Sequence, residues 1–256
     1  MIPAKLTAVS LVRRGGAAFS PVFPATLTGY VDSPFSFAAL RAGGFLWQNT
    51  GKTIAAVADG DPIRVATCGA VDWTAPSDAS RPLLYDETGG KWSASFDGAD
   101  DLLYRTSTHI MAQGLSWSSF AGYRCAASSR GSVVGEEDSF TLGCGAGDQS
   151  GGGLNIIGYR VAIAWDSASL THQSAGAMGV VATPSGSDTS ITYYRNNVAG
   201  STTTRNINTG NGTLLIGGEK LSINLAYPDR VSGAVFVSAA ISSADRAALS
   251  TYLEAL

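Results

Sequence analysis

Short apolar runs, separated by stretches rich in Gly, Ser, Asn and Asp, recur along the chain from about residue 92 onward. In the run SITYYR at 190–195, Ile191 and Tyr193 point to one side and Thr192 to the other, which is the period-two pattern of a β-strand with two different faces. The asparagine pair at 196–197 follows directly. Because Asn tolerates a positive φ, the pair predicts a tight hairpin turn.

About nine segments show strand patterns of this kind, at 92–96, 115–125, 139–143, 154–159, 160–165, 179–183, 190–195, 213–218 and 233–240. Helical periodicity is clear only in SSADRAALSTYLEAL at 242–256, where Ser242 and Asp245 have capping-box spacing and Leu249 and Leu253 repeat one turn apart. Many short strands with one late helix predict an all-β fold: an antiparallel β-sandwich (jelly roll) with a short C-terminal α-helix.

Residues 1–30 differ from the rest because Pro21 and Pro24 interrupt them, and proline is excluded from regular central elements. We expect an extended N-terminal arm at 1–30 that could act as a docking segment, followed by one continuous domain at 31–256. An edge strand of the main domain is the alternative for the first segment.

Composition excludes several classes of function. The net charge is −3, which gives no basic field for nucleic acid. No run reaches the roughly 18 apolar residues of a membrane span, and the start, MIPAKLTAVSLVRRGG, lacks the longer apolar stretch of a signal peptide. Cys68, Cys125 and Cys144 form no disulfide framework. We therefore expect no nucleic-acid partner, no membrane partner and no export by a signal peptide.

Catalytic patterns are weak. The densest carboxylates outside the 97–101 region are Glu136, Glu137 and Asp138, and contiguous acids point to opposite faces of a strand rather than forming the facing pair of a glycosidase. The two histidines, His109 and His172, accompany neither a G-x-S-x-G motif nor a zinc motif. The sequence predicts no enzyme and no catalytic residue.

The stretch SASFDGADDLLYR at 93–105 contains Asp97, Asp100 and Asp101 beside a glycine. Its spacing does not match an EF-hand loop. We interpret the cluster as a turn between two strands in which aspartates cap backbone amides. A looser Ca²⁺ site at the same three residues is the alternative, and no other cofactor is expected.

Exposed aromatic rings are the usual platform for sugars. Trp73 in VDWTAP reads as loop-borne and is the candidate for glycan contact. Trp117 and Trp165 lie in apolar strand runs, which predicts that both are core residues.

Five segments, in order, resemble a known family. RPLLYDETGGKWSASFDGADDLLYR is similar to a stretch that recurs in bacterial and phage proteins with the concanavalin-A-like lectin/glucanase (laminin-G-like) jelly roll. SPFSFAALRAGGFLWQNTG, ITYYRNNVAGSTTT, GTLLIGGE and SGAVFVSAAISSADRAALSTYLEAL resemble other parts of the same pattern. Asn197 stands where the family's hairpin usually has Gly, and VDWTAP departs from the family pattern. The resemblance covers roughly 31–256.

This resemblance implies the fold more than the activity, since jelly rolls carry many functions. It leads us to expect a non-enzymatic structural protein on a phage or phage-like particle, as a capsid decoration or tail component, made in the host cytoplasm and located on the virion surface. Other virion proteins would bind residues 1–30, cell-surface glycans are a further expected partner, and a homo-oligomer is expected. A bacterial carbohydrate-binding module or adhesin, at the cell surface or extracellular, is the alternative, and a glycoside hydrolase is a third class.

Overall fold

The structure is a computed structural model that describes residues 23–30, 35–107, 109–124, 130–145, 155–160, 165–171, 175–207, 210–218 and 229–256. In these ranges two helices and sixteen strands follow one another in the order α1 Phe37–Gly43, β1 Leu46–Trp47, β2 Val65–Cys68, β3 Val71–Thr74, β4 Leu83–Asp86, β5 Trp92–Ser95, β6 Leu103–Thr106, β7 Trp117–Arg124, β8 Arg130–Glu136, β9 Phe140–Gly145, β10 Asn155–Arg160, β11 Trp165–Thr171, β12 Ala175–Ser185, β13 Asp188–Arg195, β14 Val198–Arg205, β15 Thr213–Ile216, β16 Arg230–Val237 and α2 Ser243–Ala255.

The strands form two antiparallel sheets, as the alternating patterns predicted. One sheet has the order β1-β2-β3-β6-β15-β8-β9-β10-β11, and the other has the order β14-β13-β12-β7-β16-β5-β4. We call them the nine-stranded and the seven-stranded sheet. The hairpin predicted at 196–197 joins β13 to β14, and both asparagines have positive φ. The all-β sandwich with a C-terminal helix is confirmed.

The main core lies between the inner faces of the two sheets. Trp73 of β3 stacks on Phe236 of β16 with ring centroids 5.5 Å apart, so one aromatic pair joins the sheets. Trp117 of β7 packs near Phe140 of β9 in the same interior. Burial of such large apolar side chains is the main source of stability in a sandwich of this kind.

Helix α2 covers part of the outer face of the seven-stranded sheet. Its Leu249 and Leu253 form a second apolar cluster with Phe120 of β7 and Val235 of β16. Ser242 caps its first turn by accepting a hydrogen bond from the Asp245 amide. A Cβ at Gly122 would lie 2.8 Å from the Leu253 carbonyl oxygen, so the helix approaches the sheet closely where β7 has no side chain.

Residues 23–30 lie against this second cluster. Phe23 contacts the rings of Tyr30 and Tyr252, and Tyr30 forms an isolated antiparallel bridge with Val237. The Thr26 hydroxyl donates to Asp245 at the start of α2. The last part of the predicted arm is thus packed on the domain, while residues 1–22 lie outside the described residues, and the docking role stays a prediction.

No helix within the described ranges is long and apolar enough to cross a membrane.

Candidate functional site

The aspartates of 97–101 form a capped turn. Asp97 Oδ1 accepts from the amides of Ala99 at 2.8 Å, Asp100 at 3.2 Å and Asp101 at 3.4 Å. Asp101 Oδ2 accepts in return from the Asp97 amide at 3.0 Å. Gly98 has a φ of 76°, which glycine adopts without strain. The Asp97 and Asp101 side chains therefore cap backbone amides of the turn, as the sequence predicted.

The turn does not close a hairpin. It carries the chain from β5 in the seven-stranded sheet to β6 in the nine-stranded sheet. Phe96 before the turn and Leu102 and Leu103 after it are all buried. The stretch is thus a crossover that places apolar residues in the core on both sides of an acidic loop.

The three carboxylates lie close enough to share a cation, since one oxygen of each lies within 4.8 Å of the others. Burial is the largest of the causes that together raise the pKa of Asp101 to about 7; the charges of Asp97 and Asp100 also raise it, and the hydrogen bond from the Asp97 amide lowers it. The oxygens also have partners within the protein, because Asp100 Oδ2 accepts from the Ser80 hydroxyl at 3.2 Å. Ca²⁺ prefers ionised carboxylates and would have to displace the proton from Asp101, so the Ca²⁺ alternative stays a prediction.

The prediction of Trp73 as a loop-borne glycan contact is wrong. VDWT forms β3 and pairs with β2 in the register Ala66↔Trp73, so its indole faces inward. The side chain is fully buried and stacked on Phe236, where no sugar can reach it. Trp117 is buried as predicted, and the Trp165 side chain lies outside the described residues.

The acidic run at 136–138 closes the turn between β8 and β9. Glu136 is fully buried and accepts from the amides of Ile110, Met111 and Gly212 at 2.9, 2.7 and 3.2 Å. His109 Nδ1 lies 3.0 Å from its Oε1. Such a carboxylate holds chain segments together and is shielded from any substrate.

Of the other residues considered for chemistry, the structure describes Cys68 and Glu137. Cys68 is buried in β2. His172, Cys125 and the side chain of Cys144 lie outside the described residues. Glu137 accepts from the Asn211 side-chain amide at 2.8 Å, beside the buried Glu136.

A polar and aromatic surface crosses the outer face of the seven-stranded sheet, beside the part that α2 covers. Its members come from three parts of the chain, and we call them the outer-face site: Leu83, Tyr85, Glu87, Arg124 and Arg230. The strand register places Leu83, Ser95, Arg230 and Arg124 in one row from β4 to β7. The row ends at a cleft between Arg124 and the last turn of α2.

Glu87 holds the site together. Its Oε2 lies 2.9 Å from Arg124 Nε and 2.9 Å from Arg230 Nη1, while its Oε1 accepts from the Ser93 hydroxyl at 2.7 Å. The carboxylate is nearly buried, and both guanidiniums are more exposed than it is. A buried acceptor with two charged donors is a strong and rigid arrangement, so the arginines are fixed in place.

Tyr85 is the aromatic member of this site. The Arg230 guanidinium lies 4.4 Å from the centroid of its ring, a cation–π contact, and the residue keeps 40% of its surface exposed. Leu83, two residues earlier on the same face, is 45% exposed, while Leu84 between them is fully buried. The site therefore offers an apolar strip beside fixed polar groups.

The sequence does not single out this site. Its only local signal is the alternation in LLYDE, where an aromatic residue stands at an outward position just before acidic residues. Glu87, Arg124 and Arg230 are brought together by strand order, which no local pattern encodes.

No family model and no curated protein matches the chain. Among solved structures, it is similar to a mutant of a GH54 α-L-arabinofuranosidase soaked with 4-nitrophenyl α-L-arabinofuranoside, at 11% identity and a TM-score of 0.52 over 76% of this chain and 51% of that one. The same enzyme type soaked with a cyclic sulfate inhibitor gives 12% identity and a TM-score of 0.50 over the same shares. The chain thus matches about half the length of these enzymes.

A third similar structure is domain 4 of AbnA, a GH43 extracellular arabinanase from Geobacillus stearothermophilus, in complex with arabinotriose. The identity is 9% and the TM-score 0.47, over 66% of this chain and 81% of that one. At identities this low, the two GH54 matches establish the fold alone. The chain therefore has an antiparallel β-sandwich fold similar to that of the matched half of these enzymes.

Proposed function

We propose that this chain is a non-enzymatic, lectin-like module that binds glycans at the outer-face site. The observation that carries the proposal is Tyr85, an exposed ring on a rigid strand whose neighbour Arg230 is fixed by Glu87. Sugar sites combine an aromatic face, which packs on the C–H groups of a pyranose, with a few oriented polar groups that bind hydroxyls. The outer-face site has both parts.

The partners of Glu87 and Glu136 favour a binding role for this chain over hydrolysis. A glycosidase needs two carboxyl groups on either side of the scissile bond, one of them free to donate a proton. Glu87 is engaged by two arginines and a serine, and Glu136 by three backbone amides. Neither is placed to exchange protons with a substrate.

The test is a glycan array followed by calorimetry on each glycan that binds. We expect Tyr85→Ala to weaken binding by about two- to tenfold, because stacking on an aromatic ring contributes roughly 0.5–1.5 kcal/mol. Tyr85→Phe keeps the ring and should retain most of the affinity. Val198→Ala is the matched control, since Val198 is exposed at 54% on the opposite edge strand, β14.

Wild-type protein that binds no glycan on the array would overturn the proposal. Binding that Tyr85→Ala leaves unchanged would contradict the assignment to this site. Circular dichroism and thermal unfolding of each variant would show that a loss of binding is not a loss of fold.

We propose further that the module is displayed on a phage or phage-like particle, as the family resemblance implies, with the N-terminal residues as its attachment. Residues 23–30 are already packed on the domain through Phe23 and Tyr30, so the attachment is assigned to residues 1–22. Removing 1–22 should abolish incorporation into particles and leave glycan binding intact. Truncated protein that still copurifies with particles would contradict this assignment.

A bacterial surface adhesin with the same binding site is the alternative setting. Electron microscopy with a labelled antibody against this chain separates the two settings. The antibody would label particles if the chain is a particle component and cell surfaces if it is an adhesin. In either setting we propose that the chain forms a homo-oligomer. Light scattering of the purified chain tests this by measuring its molar mass in solution.

A further inference from the structure

We infer that the outer-face site binds linear oligosaccharides of about four residues, laid across the strands of the seven-stranded sheet. This inference rests on the proposed function and adds the size and direction of the ligand. It follows from a row of outward side chains that is long across the strands, while the open surface is short along them.

The row crosses five neighbouring strands. The register aligns one outward residue from each of them: Leu83 of β4, Ser95 of β5, Arg230 of β16, Arg124 of β7 and Ala175 of β12. None of these five residues is buried. Neighbouring strands lie about 4.8 Å apart, so the four spacings between β4 and β12 give the row a length of about 19 Å.

Along the strands the open surface is short, because α2 lies beside the row. Two residues before Arg124 on β7, a Cβ at Gly122 would lie 2.8 Å from the Leu253 carbonyl oxygen, so the helix begins to cover the sheet there. Leu253 and Glu254 of the last turn of α2 line a cleft together with Arg124 and Ala175. The helix therefore borders the row, and a chain-like ligand fits across the strands rather than along them.

The groups along the row suit a sugar chain at each step. At the β4 end, Leu83 and Tyr85 offer the apolar strip on which the C–H face of a sugar can lie. In the middle, Arg230 donates to Glu87 and Asp229 within the described part of the chain, and a guanidinium has further N–H groups that sugar hydroxyls can accept from. One sugar residue of a linear chain is about as long as one strand spacing, so the row accommodates about four residues.

The experiment is a series of ligand lengths. Each glycan that binds on the array is titrated by calorimetry as its linear oligosaccharides of one to six residues. We expect the affinity to rise by at least about fivefold from the disaccharide to the tetrasaccharide, because each hydrogen bond made by an added residue contributes roughly two- to tenfold. The affinity should level off beyond about four residues, where the row ends.

Two variants test the two ends of the row separately. Ala175→Leu places a larger side chain in the cleft at the β12 end, so it should lower the affinity for the tetrasaccharide by about fivefold and leave the disaccharide unaffected. Tyr85→Ala, at the other end, should weaken the binding of both ligands. Thr183→Leu is the matched control, because Thr183 is exposed on the same face of β12, eight positions further along the strand.

The outcomes are distinguishable. A monosaccharide that binds as tightly as the tetrasaccharide would overturn the extended ligand while glycan binding stands. Tetrasaccharide binding that Ala175→Leu leaves unchanged would overturn its direction across the strands. The length series uses wild-type protein alone, so it tests the extended ligand even if Ala175→Leu does not fold. Wild-type protein that binds no oligosaccharide of any length would overturn the proposed function and this inference with it.

Discussion

The imidazole of the half-exposed His109 lies 3.0 Å from the carboxylate of Glu136, which is fully buried. The same carboxylate accepts from the backbone amides of Ile110, Met111 and Gly212. One side chain at the end of β8 thus joins the loop before β7 to the loop before β15. We interpret Glu136 as a structural anchor, because its side-chain partners among the described residues lie on those two loops.

Glu136→Gln should lower the free energy of unfolding by roughly 3 kcal/mol. The amide would turn an N–H group toward backbone donors, leaving buried polar groups unpaired. Urea unfolding with an unchanged m-value is the measurement. Glu137→Gln is the matched control one residue away, and we expect it to cost less than about 1 kcal/mol because that residue is partly exposed. Equal losses in both variants would contradict the anchor role.

A second prediction concerns Gly217, which directly follows β15. It has a φ of +86°, and a Cβ there would lie 2.2 Å from the ring of Phe96. Gly60 has a similar φ of +83° with no atom within 4 Å of its own Cβ position. Alanine costs about 1–2 kcal/mol at either site for the left-handed backbone.

Gly217→Ala should cost about 1–3 kcal/mol more than Gly60→Ala, because it also overpacks the core against Phe96. Thermal unfolding of the two variants measures the difference directly. Indistinguishable melting temperatures would show that the Phe96 ring moves aside at no cost. The comparison tests whether SASFDG and LLIGGE, two of the segments behind the family resemblance, are held together by this contact.

The two sheets could be predicted from the sequence because the longer strands carry their pattern locally. Ile191 and Tyr193 alternate with polar neighbours, and the hairpin at 196–197 follows from residues that accept positive φ. Strands β5 and β15, with four residues each, lie in predicted apolar runs, whereas β2, β3 and β4, of the same length, lie in a stretch that Pro62, Pro76 and Pro82 interrupt and show no period. Their pairing is fixed by neighbouring strands, which a local pattern does not reveal.

The same limit explains the errors at the site. The sequence places Trp73 in a loop, yet pairing with β2 makes VDWT a strand and buries the indole. Tyr85 and Arg230 are 145 positions apart in the numbering and meet only because β16 lies beside β5 and β5 beside β4. An outward-facing residue becomes part of a site through strand order, and strand order depends on the whole fold.

A third prediction follows from Asp101. Its folded-state pKa of about 7 is above the ordinary value near 4, so the native state binds more protons than the unfolded state between these pH values. The contribution of this group to stability is therefore present below about pH 4 and is lost as the pH rises through 7. Asp101→Asn should remove this dependence of the free energy of unfolding on pH. The variant should therefore gain stability relative to wild type as the pH rises from 4 to 7.

Chemical denaturation at several pH values measures the free energy of unfolding of wild type and of Asp101→Asn, and hence the difference between them. Asp97→Asn serves as the comparison, because removing the charge of Asp97 should lower the pKa of Asp101 and move the transition to lower pH. If the difference in the free energy of unfolding between wild type and Asp101→Asn stays constant from pH 4 to 8, the pKa of Asp101 is not raised.

The last prediction separates the two interpretations of the acidic turn. If Asp97, Asp100 and Asp101 act as caps, Ca²⁺ up to millimolar concentration should leave the melting temperature unchanged, since ligands that bind only the native state must raise it. We expect this flat response, because Asp97 Oδ1 already accepts from three amides and a proton competes for Asp101 near neutral pH. The titration is made at pH 6 and pH 8, because a true Ca²⁺ site would bind more tightly where Asp101 is ionised. A rise at pH 8 that Asp100→Asn abolishes would make the cluster a metal site. Mg²⁺ under the same conditions controls for general screening of the carboxylates.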